Sequence, residues 1–244
     1  MRLICISDTH SLHMEMIYNV NSLLDPNQDN ILIHSGDFTN IGKEHDVREF
    51  IYWFKNLQGF SNKIFIAGNH DISFESKPNW LYQYINEENL SQCNCTYLED
   101  SEFIIKTSEF SQPIKFYGSP WQPRFFDWAF NVDRDKIQIY WEKIPEDVQI
   151  LITHGPPFGV LDNVIGQKAS LGCESLLDHV NRIKPVLHIF GHIHSGHNVI
   201  EKNGTTFINA SICTEKYKPI YKPIIIDLIE KDNKLIPKII SFSE

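Results

Sequence analysis

Five apolar runs in this chain each end in polar residues that bind metals well. LICIS leads into Asp8-Thr9-His10, ILIHSG into Asp37, KIFIAG into Asn69-His70-Asp71, QILIT into His154, and VLHIFG into His192-Ile193-His194. Carboxylate, amide and imidazole donors in one set suit hard or borderline divalent ions such as Mn, Fe, Zn, Co or Mg. No thiolate belongs to the set, which disfavours a structural zinc knot. Two such ions about 3.5–4 Å apart can hold a bridging water, lower its pKa and clamp phosphate oxygens during in-line displacement. A lone Asp-x-His or Gly-Asp pair would carry little weight. Their joint occurrence at the ends of apolar runs, from segments about 180 residues apart, points to an active site.

The elements that must position these residues follow from the same runs. Short apolar runs bounded by Gly and polar turns read as buried strands. In an open α/β sheet the ligands bind beyond the carboxyl ends of the strands, and all five motifs lie there. Side chains two apart on a strand share a face, so Asp8 and His10 project together, as do His192 and His194, if each motif stays extended. Residues 13–24 and 43–58 show helical spacing, the second with Val47, Phe50, Ile51 and Phe54 on one face and Gly59 as a stop. Further helices are expected within 133–143 and 170–182, and TYLEDSEFIIK, PIKFYGS, TTFINAS, PIIIDLI and PKIISF read as strands. No linker or low-complexity segment interrupts the chain, so one domain over 1–244 is expected.

Twenty-two basic against thirty-one acidic residues give a formal net charge of -9, with no Lys/Arg block. General nucleic-acid binding is therefore not expected, since affinity for phosphate backbones comes from Lys and Arg. A small phosphate substrate is compatible, because two divalent ions reverse the local sign. The five cysteines form no C-x-x-C pair, and Cys93-Asn94-Cys95 reads as ordinary loop chemistry. No run approaches the ~18 apolar residues of a spanning helix. No membrane partner is expected, and the cysteine pattern fits a cytoplasmic or nuclear setting.

The series Asp8-x-His10, Gly36-Asp37, Gly68-Asn69-His70-Asp71, His154 and Gly191-His192-x-His194 resembles the calcineurin-like metallophosphoesterase superfamily over nearly the whole chain. SDTH, IHSGDFT, IAGNHD, YGSPWQP, LITHGPP, FGHIH and INASICT resemble its metallophosphoesterase-domain-containing branch. The resemblance implies an α/β fold: a four-layer α/β/β/α sandwich of two mixed sheets flanked by helices, holding two divalent ions, manganese first among them. It implies that Asp8, His10, Asp37 and His194 bind one ion, and that Asp37 bridges to a second completed by Asn69, His154 and His192. His70 would stand beside the substrate as proton donor or charge stabiliser, with Asp71 or Asn40 orienting it. An imidazole suits that acid role at neutral pH.

The protein Ser/Thr phosphatases of the superfamily carry GDxxDRG. Here Asn40 and Ile41 stand in place of its Asp and Arg, which argues against that activity. The resemblance implies phosphodiester hydrolysis, through a metal-bridging hydroxide, of small substrates such as cyclic nucleotides. A phosphomonoesterase and a weakly active or inactive metal-holding scaffold for protein association are the competing readings. Trp121, Phe125, Phe126, Trp128 and Phe130 crowd one stretch. They either cover a sheet edge, meet another copy in a homo-oligomer, or stack a base. Asn40, His197 and Arg124 are candidate substrate contacts.

Overall fold

The computed structural model describes residues 1–166 and 169–240. In chain order the strands and α-helices are β1 (Arg2–Ile6), β2 (Asn30–His34), α1 (Glu44–Asn56), β3 (Asn62–Phe65), α2 (Ile72–Ser76), α3 (Pro78–Glu87), β4 (Cys95–Tyr97), β5 (Ser101–Ile105), β6 (Ile114–Ser119), β7 (Gln122–Pro123), β8 (Asn131–Val132), α4 (Gln138–Trp141), β9 (Ile150–Thr153), α5 (Glu174–Ile183), β10 (Leu187–Phe190), β11 (Asn198–Lys202), β12 (Thr205–Asn209), β13 (Ile224–Lys231) and β14 (Lys234–Ile239). One six-stranded sheet has the order β14-β13-β1-β2-β3-β4, the other β11-β12-β10-β9-β6-β5. Strands β1 to β4 run parallel, as do β12, β10, β9 and β6, so each sheet has a parallel heart with antiparallel additions.

The apolar runs are continuous because both faces of each sheet are covered. Leu3, Cys5, Ile31, Ile33 and Ile64 pack against Phe116, Ile150, Ile152 and Ile189 between the sheets. Their strand neighbours Ile4, Ile6, Leu32 and Phe65 meet Val47, Phe50, Ile51 and Phe54 of α1 and Leu81 of α3. On the far side Tyr117, Leu151 and Phe190 meet Trp141 of α4 and Leu176 and Val180 of α5. The four-layer sandwich is thus present. Each buried α1 side chain contributes roughly 1.5–3 kcal/mol of apolar burial.

Three local expectations differ from the structure. Residues 13–24 hold turns and one 3-10 turn, Val20–Leu23, rather than an α-helix. Asn19 accepts from the Asn21 N–H, Ser22 donates to the Asn19 carbonyl, and Asn21 donates to Gln58 O, bonds that compete with the helical ladder. TYLEDSEFIIK breaks at the left-handed Asp100, sending β4 to one sheet and β5 to the other. The helix expected in 133–143 shortens to Gln138–Trp141. Among the described residues no helix is long and apolar enough to cross a membrane.

Candidate metal centre

The carboxyl ends of β1, β2 and β3 face those of β9 and β10 across the rim of the sandwich. A parallel bridge between Ser7 and Ser211 ties the two sheets there, with Ile212 N donating to Ser7 O at 2.8 Å. Beyond this seam the five motifs leave strand geometry. Asp8, His10, Asp37 and His192 all adopt left-handed backbone conformations, with φ between 43° and 65°. Non-glycine residues occupy that region at a cost, and such strain gathers at functional sites.

Glycines precede three of the five motifs, at Gly36, Gly68 and Gly191, and each has a steric reason. A Cβ on Gly68 would lie 2.3 Å from Asp37 Oδ1, and one on Gly191 would lie 2.0 Å from Asp8 Oδ2. Backbone and carboxylate approach too closely there for any other residue. The motifs are therefore packed against one another as well as aimed at a common point.

Three overlapping groups result. Asp8, His10 and His194 each offer a ligand atom within 4.8 Å of the others, as do His10, Asp37 and His70, and Asp37, His154 and His192. In the first group His10 Nε2 lies 3.1 Å from His194 Nε2, and His194 Nε2 lies 3.5 Å from Asp8 Oδ1. In the last, His154 Nε2 is 3.3 Å from Asp37 Oδ2 and 3.0 Å from Asn69 Oδ1. Asp37 belongs to the second and third groups, and His10 links the second to the first. The extended-strand expectation for the last motif does not hold: His192 turns towards His154, while His194, at the start of a 3-10 turn, faces Asp8 and His10. The left-handed turn at His192 separates them.

Second contacts fix these rings. His154 Nδ1 donates to Ser35 O and His194 Nδ1 to Thr214 O, both at 3.0 Å, which leaves each Nε2 directed into the cleft. The Asp8 carboxylate accepts from His192 N and from Ser211 Oγ. Burial would raise the Asp8 pKa, but the His194 hydrogen bond and surrounding histidine charges hold it well below the usual carboxylate range. Burial would lower His154, yet the charge and hydrogen bond of Asp37 lift it to about 9. Burial pushes His10 down to about 4 and His192 to about 3.

This donor set fits cations. Two buried carboxylates have only histidines as ion-pair partners among the described residues, with no Lys or Arg. Asp37 Oδ2, Asn69 Oδ1 and His154 Nε2 converge although all three carry lone pairs in the neutral-imidazole state. Buried charge must be paired or bound to metal: a proton on His154 pairs the cluster in the metal-free chain, and a shared cation would take its place.

The remaining expected residues are placed as follows. His70 borders the cleft with Nε2 4.0 Å from Asp37 Oδ2, and its N–H donates to Asp37 Oδ1 at 2.7 Å. Its Nδ1 donates to the Asn40 carbonyl at 2.6 Å, so Asn40 holds the ring through backbone. The Asp71 carboxylate is buried and turned the other way, accepting from Gly68 N, Thr39 N and Thr39 Oγ1. It staples the two loops together and does not meet the His70 ring. Arg124 pairs with Asp133 on the exposed surface, and His197 stacks on Tyr221. The aromatic stretch divides: Phe130 is core, Trp121 packs on Tyr140, Trp128 stacks on His70 at 4.0 Å, and Phe125 approaches His192 at 6.0 Å. Tyr217 was not anticipated. Its ring stands 4.7 Å from that of His10 and 5.4 Å from that of His194, carried there by an irregular loop without motif.

A two-layered sheet whose rim gathers Asp, Asn and His from both halves defines a class of metal-dependent phosphoric ester hydrolases. Residues 1–196 match the calcineurin-like phosphoesterase family, and the chain belongs to it. Human metallophosphoesterase domain-containing protein 1 is 41% identical over 246 residues, covering 93% of this chain and 71% of the relative. Among solved structures, the phosphopantetheinyl hydrolase PptH of Mycobacterium tuberculosis superposes with a TM-score of 0.58 at 17% identity, covering 88% of this chain and 90% of that one. A 5'-nucleotidase precursor of Thermus thermophilus gives 0.56 at 11%, covering 98% and 53%. At such identities these structures speak for the fold alone.

Proposed function

We propose that residues 1–244 form one unit, a phosphodiesterase for small phosphodiesters of the nucleotide class, dependent on two divalent ions, manganese first. Asp8, His10, Asp37 and His194 would hold one ion, and Asp37, Asn69, His154 and His192 the other. The carrying observation is that Asp37 Oδ2 stands between the two sets, 3.9 Å from His10 Nε2 and 3.3 Å from His154 Nε2. When bound, such ions neutralise developing phosphoryl charge and activate water.

The chain's own residues supply the rest. The Asn40 carbonyl takes the Nδ1 proton of His70, so Nε2 is the atom that holds and delivers a proton to the leaving oxygen. Trp128 presses on one face of that ring and limits its rotation. Asp71 locks the loops that carry Asp37 and His70. Phe125, Trp128 and Tyr217 give the cleft apolar walls, which favour an ester carrying a flat leaving group, since aromatic faces stack bases at about 1–3 kcal/mol each.

The test is hydrolysis of bis(p-nitrophenyl) phosphate by metal-depleted protein with and without added Mn²⁺. A panel of 3′,5′-cyclic, 2′,3′-cyclic and monoester nucleotides follows. Metal-restored turnover with diesters preferred is expected. No turnover with any metal would overturn the enzyme reading, and monoester preference would overturn the diester assignment.

A further inference from the structure

Three methionines occur in the chain, and two of them flank Glu15 shortly after the first metal motif. Met14 and Met16 follow His13 in a turn closed by Glu15 N, which donates to Leu12 O at 2.8 Å. Together with Trp53 of α1, these three side chains line a cavity of about 260 Å³ that takes in no residue of the metal centre. The His13 side chain is buried, its ring 4.8 Å from that of Trp53 and 5.9 Å from that of Phe50. Among the described residues its nitrogens have no hydrogen-bond partner, and Nδ1 is sealed from solvent. Nε2 is therefore the atom that the ring can offer to the cavity. A buried polar group left unbonded costs about 1–3 kcal/mol, which a ligand at Nε2 would recover in part. Burial holds this imidazole down to about 4, so at neutral pH it is uncharged and carries a free lone pair.

The two thioethers complete a soft donor set. Met14 lies against the last turns of α1 yet stays 76% exposed, open to a ligand. Met16 is half-buried and packs with Trp53 on the α1 side of the core. Methionine is unbranched and adaptable, so bond rotation alone can turn its sulfur towards an ion. Thioethers select Cu(I), whereas hard ions keep to oxygen donors. No carboxylate or ammonium lines this cavity. A divalent ion would lack countercharge there, and burying unpaired charge is costly. A soft monovalent ion on neutral donors meets the smallest penalty. The indole face of Trp53 adds attraction, since the ring quadrupole draws cations. Charges at the margin are of both signs: Glu15 and Glu49 are exposed, and Lys222 lies over the Tyr18 ring at 5.7 Å. Softness of the donors, not charge, makes the selection.

We propose that His13, Met14, Met16 and Trp53 form a site for one Cu(I) ion, with His13 Nε2 and the two thioether sulfurs as ligands and the indole face beside them. The site is separate from the metal centre and does not rest on the phosphodiesterase reading. The experiment offers Cu(I), buffered anaerobically by bicinchoninate, to the full chain in excess Mn²⁺. Uptake of one Cu(I) per chain with quenched tryptophan fluorescence and no loss of manganese is expected. M14L/M16L conserves side-chain volume. It should keep its manganese and lose that copper to the bicinchoninate. W53F should keep the copper and lose the quenching. No uptake by the unaltered chain overturns the site. Equal uptake by M14L/M16L assigns the copper to thiols and overturns it as well. Uptake that expels manganese, or quenching that persists in W53F, places the copper elsewhere and likewise overturns it.

Discussion

The substitution Gly68→Ala tests how tightly the metal motifs are fitted. Its Cβ would stand 2.3 Å from Asp37 Oδ1, 2.4 Å from Asp37 N and 2.6 Å from His154 Cε1, where ordinary contact begins at 3.4 Å. Asp37 and His154 must therefore retreat by about 1 Å. Both neighbours are buried and cannot swing aside: Asp37 also accepts from His70 N, and His154 donates to Ser35 O. A misplacement of about 1 Å costs on the order of 100-fold in rate. Because the displaced carboxylate is the shared one, occupancy should fall from two ions towards one per chain. Elemental analysis of the purified variant alongside kcat/KM for bis(p-nitrophenyl) phosphate reads both effects. Circular dichroism would establish that the sandwich persists. Two ions per chain with unaltered kcat/KM would show that the loops yield freely and that close packing does not set the site.

Other outcomes follow from the same geometry. Asp37→Ala should empty both positions and abolish turnover, whereas His70→Ala should retain two ions and lose kcat by roughly 10²–10⁴-fold; loss of an ion from His70→Ala would reassign it as a ligand. His154, raised to about 9 in the metal-free chain, is protonated at pH 7.5. Metal uptake there should release about one proton, and the release should vanish as pH rises through 9, as calorimetry in buffers of different ionisation enthalpy would record. His188 is fully buried against Thr153 and pushed down to about 3 by burial. The unfolded chain binds its proton near pH 6.5 and the folded chain does not. Stability should therefore decline as pH drops from about 6.5 towards 3, by a few kcal/mol at most, and His188→Gln should flatten that slope in urea melts.

Much of this site could be read from residue order because strand ends in a parallel sheet leave little choice of rim. LICIS, ILIHSG and KIFIAG had to lie side by side, and their terminal polar residues had to share an edge. What period-two reasoning could not supply was the geometry past the last ladder bond. His192 and His194 look equivalent in sequence, yet one left-handed residue sends them to different groups. Asp71 and Asn40 both adjoin the motifs, and only tertiary hydrogen bonding distinguishes the buried staple from the carbonyl that holds His70. Tyr217 arrives from an irregular segment, where neither periodicity nor motif leaves a trace. The break at Asp100 shows the same limit: an unbroken apolar stretch does not say which sheet each half will join.

The Ser7–Ser211 bridge marks where the two sheets touch at their rim, and the Asp, Asn and His groups straddle it. One group takes Asp8 and His10 from the first sheet and His194 from the second; the other takes Asp37 and Asn69 from the first and His154 and His192 from the second. Each ion would accordingly act as a rivet between half-molecules. Chelation should then do more than silence chemistry: it should let the edges part, so that amide exchange at Ser7 and Ile212 quickens while the distant interior of the sandwich stays protected.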